Sequence, residues 1–133
     1  MKTIAILQAR MSSTRLPGKV LMPILGKPMV SLQIERLKRA KTLNTLIVAT
    51  SDRAEDNLIA DLCRKIDVTC YRGSLDDVLD RYYKAAMNNS ADTVVRLTAD
   101  CPLSDPCVID EAVKLFNKDD YDFVSNTVHR TWP

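Results

Sequence analysis

The chain has 133 residues and a formal net charge of +2, with 46% hydrophobic and 27% charged residues. This length fits one modest domain with its own apolar core. Charged residues of both signs are interspersed, and no apolar run approaches the roughly 18 residues of a membrane span, which argues against a general nucleic-acid or membrane surface. The N-terminus has no signal-peptide core, so we expect a cytoplasmic protein.

Apolar segments of strand length alternate with amphipathic segments of helix length. Predicted strands cover residues 3–7, 45–50, 68–71 and 93–97, with a weaker fifth at 123–125. Predicted helices cover residues 29–40, 54–65, 76–87 and 106–117. This alternation predicts an α/β fold with three layers, α/β/α, around a mostly parallel sheet.

The last predicted helix has a clear start, because Asp105 is a plausible N-cap and Pro106 suits the first helical position. After residue 125 no closing helix is predicted. We therefore expect residues 1–133 to form a single α/β domain that is incomplete at its C-terminus, with more polypeptide normally following.

Three cations lie in one short loop after the first predicted strand. Residues 8–19 read QARMSSTRLPGK and place Arg10, Arg15 and Lys19 among the small hydroxyl residues Ser12 and Ser13. Ligands of α/β proteins bind at the carboxyl ends of parallel strands, and such cations suit a polyanion such as a nucleoside triphosphate. A solvated basic loop without a ligand is the alternative.

This loop differs from the common glycine-rich phosphate binders. A P-loop would need Gly at position 13 and Ser or Thr at position 20, where the chain has Ser13 and Val20. A dinucleotide fingerprint needs three closely spaced glycines, and the whole chain has three. Side-chain cations must then supply much of the phosphate binding, at roughly 1.5 to 3 kcal/mol per charged hydrogen bond.

The cysteines and the histidine predict no separate centre. The four cysteines form no CxxC pair. Because we expect a cytosolic protein, we interpret them as reduced thiols and not as disulfides or zinc ligands. His129 is the only histidine and is expected to be exposed.

Asp100 follows the fourth predicted strand, in the segment TADCP at residues 98–102. In a parallel sheet this carboxylate and the cationic loop can share one crevice. A carboxylate beside phosphates needs a divalent cation between them, and Mg²⁺ commonly bridges carboxylates and substrate phosphates. A turn or a helix cap is the other interpretation of Asp100.

Four segments together resemble a known family. The loop at residues 8–19, followed by GKPM at 26–29, resembles the amino-terminal signature of cytidylyltransferases that activate acidic sugars. The segment GSLDDVLDRY at residues 73–82 and the turn at 98–102 resemble the branch of spore-coat polysaccharide biosynthesis cytidylyltransferases, which is related to CMP-KDO synthetases. The resemblance covers essentially the whole chain.

The resemblance implies a nucleotide-diphosphosugar transferase fold, which is Rossmann-like, and an enzyme that uses CTP and Mg²⁺ to form a CMP-sugar acid and release pyrophosphate. By position, Arg10, Arg15 and Lys19 would hold the triphosphate with Ser12 and Ser13 beside them. The backbone of Leu7 and Ala9 would border the base, and Asp100 would hold the metal. The segment from Ser74 through Asp77 to Arg81 would line the nucleoside pocket.

Family members are usually longer, and their second half supplies a further acidic metal ligand, sugar contacts and a dimerisation element, so a homodimer is a further expectation. Two other functions stay open. A nucleotide-sugar-dependent glycosyltransferase often carries an Asp-x-Asp motif, whereas Asp100 is followed by Cys101. A truncated, non-catalytic nucleotide-binding subunit is the second. Only the transferase would release pyrophosphate from CTP and a sugar acid.

Overall fold

Residues 1–129 are described by the structure, a computed structural model. The chain begins with β1 (Thr3–Gln8) and continues through a small hairpin, β2 (Pro23–Ile24) and β3 (Lys27–Pro28), to α1 (Met29–Leu37). The remaining elements are β4 (Thr45–Ser51), α2 (Asn57–Lys65), β5 (Thr69–Gly73), α3 (Val78–Asn88), β6 (Thr93–Thr98) and α4 (Pro106–Lys118). The predicted alternation of strands and helices is confirmed.

The four long strands form one sheet in the order β5-β4-β1-β6, and all of its pairs are parallel. Each of these strands was predicted from its apolar run to within two residues at either end. Because β1 is central, its side chains from residue 3 to residue 7 are almost fully buried. Continuous apolar runs of this kind are typical of parallel strands covered on both faces.

Helices cover the sheet on its two faces, which confirms the three-layer arrangement. On one face α1, α2 and α4 contribute Ile34, Ile59 and Ile109 to a core that includes Leu7 and Val48 of the sheet. On the other face α3 packs Tyr82 and Ala85 against a second set of strand residues, Ile4, Ile6, Ile47 and Ala49. Within residues 1–129, no helix is long and apolar enough to cross a membrane.

Several details differ from the sequence predictions. The predicted strand at residues 123–125 is wrong: these residues have no regular structure, Phe123 is 79% exposed, and no strand of the described chain pairs with them. The predicted helix at 54–65 starts as a 3₁₀ turn, Ala54–Asp56, because the N–H of Asp56 bonds three residues back to Arg53 at 3.0 Å. The helix predicted to reach residue 40 ends at Leu37, and the helix predicted to start at residue 76 begins at Val78 because Asp77 is its N-cap.

The β2–β3 hairpin was not predicted, since each of its strands has only two residues. Its turn residues Leu25 and Gly26 both have positive φ, 51° and 79°. That is the backbone of the tight hairpin turns that glycine favours, so Gly26 was the available signal. The predicted N-cap of α4 is confirmed, because the Asp105 side chain accepts a hydrogen bond from the N–H of Cys107 at 2.7 Å.

Candidate functional site

The loops after β1 and β6 leave the sheet side by side at its carboxyl edge. In the parallel register Leu7 lies opposite Leu97 and Gln8 opposite Thr98, and the N–H of Ala99 donates to the carbonyl of Gln8 at 2.9 Å. Between the two loops is an open cavity of about 310 Å³. Its lining comes from both loops: Gln8, Ala9, Arg10, Ser12, Ser13, Thr14, Arg15, Lys19, Val20, Thr98, Ala99 and Asp100.

The basic loop, which we define as residues 9–19, closes on itself. The N–H of Gly18 donates to the carbonyl of Met11 at 2.8 Å, and Gly18 has a φ of +73° that favours glycine. A Cβ at Gly18 would also lie 3.4 Å from Cε of Met11. Inside the loop the N–H of Leu16 donates to Oγ of Ser13 at 3.3 Å. The loop is therefore a folded unit and not an extended tether.

The three predicted cations of the basic loop line this cavity together. Nζ of Lys19 is 3.8 Å from Oδ2 of Asp100. Arg10 and Arg15 are exposed, and neither side chain forms a hydrogen bond or salt bridge with any other part of residues 1–129. Their donors are thus available to an anion that enters the cavity.

Asp100 is held in a defined orientation by its own loop. Its Oδ1 accepts a hydrogen bond from Oγ1 of Thr98 at 2.8 Å and a weaker one from Sγ of Cys101 at 3.6 Å. The Thr98 hydroxyl is the main reason that the pKa of Asp100 lies below its usual value, with Cys101 and the charge of Lys19 adding to it against the opposing effect of burial. The carboxylate is therefore ionised at neutral pH.

The donor set around Asp100 fits a substrate-bridged divalent cation better than a metal site built from protein ligands alone. Oδ1 is engaged by Thr98, which leaves Oδ2 toward Lys19. In residues 1–129 no group of three or more His, Cys, Asp or Glu side chains is placed to hold a metal ion. Mg²⁺ often binds through one or two carboxylates plus substrate phosphates, and one carboxylate is what this cavity offers.

The structure does not bring every predicted site residue to this cavity. Leu7 is fully buried in the core and is not part of the lining. Ser74 instead lines a second, separate cavity of about 620 Å³ at the carboxyl ends of β4 and β5, together with Asp52, Arg53, Tyr71 and Lys84. Asp77 caps α3 by accepting a hydrogen bond from the N–H of Asp80 at 2.9 Å.

Arg81, on α3, is a fully buried cation. Its Nη1 donates to the carbonyl of Ser74 at 2.6 Å, while Nε and Nη2 are buried without a hydrogen-bond partner within residues 1–129. Burial lowers the pKa of Arg81, and the charge of Arg10 lowers it further, whereas Tyr82 and Asp56 oppose both effects. Arg10 and Arg81 are thus electrostatic neighbours, although only Arg10 lines the first cavity.

Two polar side chains that sequence reasoning missed hold the loops in place. Asp56 is 0% exposed and its Oδ1 accepts the N–H of Met11 at 2.7 Å. Gln33, also 0% exposed, donates from Nε2 to the carbonyl of Thr98 at 2.9 Å and to Oγ of Ser104 at 3.2 Å. Both lie inside segments predicted as ordinary helix, and the sequence gives no signal that these polar residues turn inward.

Fold and site together define a nucleotidyltransferase-like α/β protein. The cytidylyltransferase family model matches residues 4–132, and the chain belongs to that family. It is 44% identical over 125 residues to an uncharacterized protein of Methanocaldococcus jannaschii, covering 94% of this chain and 51% of that protein. It is 35% identical over 127 residues to the spore coat polysaccharide biosynthesis protein SpsF of Bacillus subtilis, covering 91% and 53%.

Solved structures agree with this assignment. A cytidylyltransferase from Leptospira borgpetersenii superposes with a TM-score of 0.84 at 39% identity, over 88% of this chain and 49% of that one. A CMP:2-keto-3-deoxy-manno-octonic acid synthetase complexed with CTP superposes with a TM-score of 0.78 at 25% identity, over 90% and 49%. These neighbours confirm the predicted Rossmann-like nucleotidyltransferase fold. The chain spans about half the length of the curated relatives it matches.

Proposed function

We propose that this protein transfers CMP from CTP to a sugar acid, with the basic loop and Asp100 binding the magnesium-bound triphosphate. The observation that carries the proposal is the shared cavity, which the three cations of one loop and the carboxylate of the other line together, with Nζ of Lys19 3.8 Å from Oδ2 of Asp100. An isolated phosphate would need only the cations. The combination of exposed cations with an ionised carboxylate suits a polyanion that brings a divalent cation with it.

The basic loop would bind the phosphates. Arg10 and Arg15 present planar guanidinium groups with no protein partner in the described chain, and Arg favours bidentate binding of phosphate oxygens. Lys19 is half-buried beside Asp100 and adds a point charge next to the metal position. The buried hydroxyl of Ser12 also lacks a partner within residues 1–129 and lies at the same cavity.

Asp100 would hold Mg²⁺, which neutralises charge on the phosphate oxygens when bound. The low pKa of Asp100 keeps its carboxylate ionised through the physiological range, so a proton does not compete with the metal there. Lys19 is the neighbour that compensates the negative charge of Asp100 when no metal is present.

The nucleoside would lie toward Ala9 and Arg81. Ala9 lines the cavity, whereas the unpaired Nε and Nη2 donors of Arg81 are buried, so they would pair with the acceptors of a pyrimidine only after the neighbouring residues move aside. Ser74 would act through Arg81, because its carbonyl accepts from Nη1. Oδ1 of Asp77 already accepts a hydrogen bond as the N-cap of α3, so only Oδ2 would be available to a nucleoside.

The proposed reaction is an in-line displacement at phosphorus. A hydroxyl oxygen of the sugar acid forms a new bond to the α-phosphorus of CTP, the bond to the β-phosphate oxygen breaks, pyrophosphate leaves, and the hydroxyl proton passes to solvent. The residues of this chain contribute positioning and charge neutralisation, and none acts as a covalent nucleophile. The sugar acid itself, a role in spore-coat or other surface polysaccharide synthesis, a cytoplasmic location and a homodimeric state stay predictions.

The direct test is pyrophosphate release by the protein with CTP, Mg²⁺ and a panel of sugar acids such as KDO. We expect release that depends on both the sugar acid and the metal. CTP binding without pyrophosphate release under every condition would support the non-catalytic subunit. Transfer of the sugar from a nucleotide-sugar to an acceptor, with release of the nucleotide and no pyrophosphate, would support the glycosyltransferase.

Asp100→Asn is the matched test of the metal assignment, because it keeps the shape of the side chain and removes its charge. We expect the Mg²⁺ dependence of CTP binding, measured by isothermal titration calorimetry, to be lost while metal-free binding is retained or strengthened. An unchanged response to Mg²⁺ would contradict the role given to Asp100.

A further inference from the structure

Asp56 lies outside the cavity, yet its carboxylate is bonded to the basic loop. It belongs to the 3₁₀ turn before α2 and is 0% exposed. Oδ1 accepts the N–H of Met11 at 2.7 Å, while Oδ2 accepts the N–H of Ser51 at 3.2 Å and the hydroxyl of Ser51. One carboxylate thus joins the basic loop to the end of β4.

Met11 is the point at which the two ends of the loop meet. Its N–H is bonded to Asp56, and its carbonyl accepts the N–H of Gly18. Arg10 directly precedes Met11, and Lys19 directly follows Gly18. The position of the Met11 backbone therefore determines where two of the three cations leave the loop.

The other partner of Asp56 is on a rigid part of the molecule. Ser51 is fully buried at the end of β4, and its carbonyl accepts Nε of Arg72 at 2.9 Å. The same arginine donates from Nη2 to the carbonyl of Arg53 at 2.8 Å, and the N–H of Asp52 donates to the carbonyl of Gly73 at 2.9 Å. Through these hydrogen bonds, Asp56 anchors the basic loop to the sheet.

The chemistry of the contacts calls for a carboxylate. Three donors converge on Asp56, and an ionised carboxylate only accepts hydrogen bonds. No salt bridge to Asp56 is formed within residues 1–129, although its charge stabilises the protonated form of buried Arg81. A buried charge of this kind is costly unless its hydrogen bonds are complete, so the Met11 contact is a strong constraint on the loop.

We propose that Asp56 is a positioning residue for the nucleotide site, which acts by fixing Met11 and through it the starting points of Arg10 and Lys19. The identity of the ligand rests on the proposed function, whereas the tether itself does not. Its loss should leave the sheet in place and allow the cations to move away from the cavity, and displacements near 1 Å can reduce function by roughly 10- to 100-fold.

The first arm of the test needs no ligand. Amide hydrogen exchange at Met11 is measured in the wild type and in Asp56→Ala. We expect the Met11 amide to be protected in the wild type and to exchange about 10-fold faster or more in the variant, while amides of β1 and β4 keep their protection. Equal protection of Met11 in both proteins would overturn the tether.

The second arm measures affinity for CTP with Mg²⁺, and for tripolyphosphate, by calorimetry. The matched control is Asp110→Ala, which removes another buried carboxylate bonded to backbone N–H groups but at the opposite edge of the sheet. We expect Asp56→Ala to weaken both ligands by roughly 10-fold or more and Asp110→Ala to bind normally, both at a temperature at which circular dichroism shows folded protein.

Asp56→Asn should restore only part of the affinity, because its amide oxygen can still accept the N–H of Met11 but its amide nitrogen cannot accept from the N–H of Ser51. If Asp56→Ala does not fold, Asp56→Glu keeps the charge but moves it by one methylene, and we expect the same loss of affinity. Equal affinity losses in the Asp56 and Asp110 variants, or none in Asp56→Ala, would overturn the positioning role. A wild type that binds neither ligand would overturn the proposed function, while the exchange result would still decide whether Asp56 holds the loop.

Discussion

The two edges of the parallel sheet satisfy their polar groups in different ways. At the amino edge, each buried side-chain polar atom of residues 1–129 has a hydrogen-bond partner. The carboxylate of Asp110 on α4 accepts the N–H of Lys41 at 2.9 Å, the N–H of Thr42 at 2.9 Å and the hydroxyl of Thr42 at 2.7 Å. The N–H of Lys2 is bonded to Asp92, and Asn44 accepts the N–H of Thr3. These contacts close the loops that enter the strands.

At the carboxyl edge the partners are incomplete. In the described part of the chain, buried side-chain polar atoms without a hydrogen bond occur on Ser12, Ser31, Gln33, Thr50 and Arg81. All five residues lie at this edge. Ser12 is in the basic loop, Thr50 is near the end of β4, and Arg81 is in the first half of α3; Ser31 and Gln33 are on α1, which begins at this edge. Unpaired buried polar groups cost free energy, and in the described chain that cost is concentrated at the carboxyl edge, where we propose the nucleotide site.

The largest effect that separates the two edges should come from Lys19→Ala compared with Lys41→Ala. Lys19 lines the cavity, whereas the exposed Lys41 lies at the amino edge, where only its backbone N–H is used. We expect CTP affinity to fall by about 10- to 100-fold in Lys19→Ala, because a charged contact to phosphate contributes roughly 1.5 to 3 kcal/mol. Calorimetry should show no change for Lys41→Ala.

Stability should hardly distinguish these two lysine variants. The side chains of Lys19 and Asp100 are 38% and 53% exposed, and surface pairs of this kind contribute at most about 1 kcal/mol. A Lys19→Ala protein that binds CTP like the wild type would show that the carboxyl edge is no more functional than the amino edge.

The opposite pattern is expected for Asp110→Ala. Removing this carboxylate leaves the backbone donors of Lys41 and Thr42 without their acceptor, so we expect the free energy of unfolding to fall by roughly 2 to 4 kcal/mol. Urea denaturation measures this loss, and the folded variant should retain its CTP affinity. A stable Asp110→Ala protein with impaired CTP binding would contradict this comparison, because it would show that the amino edge serves binding and not stability.

The stability that Asp110 supplies should also depend on pH in a defined direction. Burial opposes its ionisation, but the hydrogen bonds from Thr42 and Lys41 prevail and hold the pKa of Asp110 below its usual value. A group whose folded pKa is depressed stabilises the fold above its unfolded pKa of about 3.9 and loses that contribution as pH falls through the folded pKa. The stability difference between wild type and Asp110→Ala should therefore shrink below about pH 4.

The sequence predicted what depends on local pattern. Four strands and four helices were found because their apolar residues follow the strand and helix periods, and the basic loop and Asp100 were placed together because both follow parallel strands. The strand predicted at Phe123 was wrong because a short apolar run pairs only where a neighbouring strand is available, and among the described residues none is.

What the sequence could not predict depends on tertiary contacts. Asp56 and Gln33 look like exposed positions of amphipathic segments, yet both are fully buried because loops distant in sequence supply donors or acceptors for them. For Ser74 and Arg81 the resemblance indicated a nucleoside pocket. The structure connects Arg81 to Arg10 electrostatically but places Ser74 on a separate cavity.

The smallest expected effect is Thr98→Val, and it tests how the carboxyl edge keeps Asp100 ionised. The Thr98 hydroxyl is the main cause of the lowered pKa of Asp100, so its removal should raise that pKa toward the ordinary value. The matched control is Thr69→Val at the amino end of β5, an exposed threonine far from Asp100 in the sheet order. Carboxyl carbon NMR measures the titration of Asp100 in both variants.

At neutral pH Asp100 is ionised with or without the Thr98 hydroxyl, so we expect Mg²⁺-dependent CTP binding to change by no more than about 2-fold there. Near pH 4 the proton competes with the metal, and the Thr98→Val protein should lose metal-dependent binding at a higher pH than the wild type. A titration curve of Asp100 that does not move would mean that Lys19 and Cys101, and not Thr98, keep this carboxylate charged.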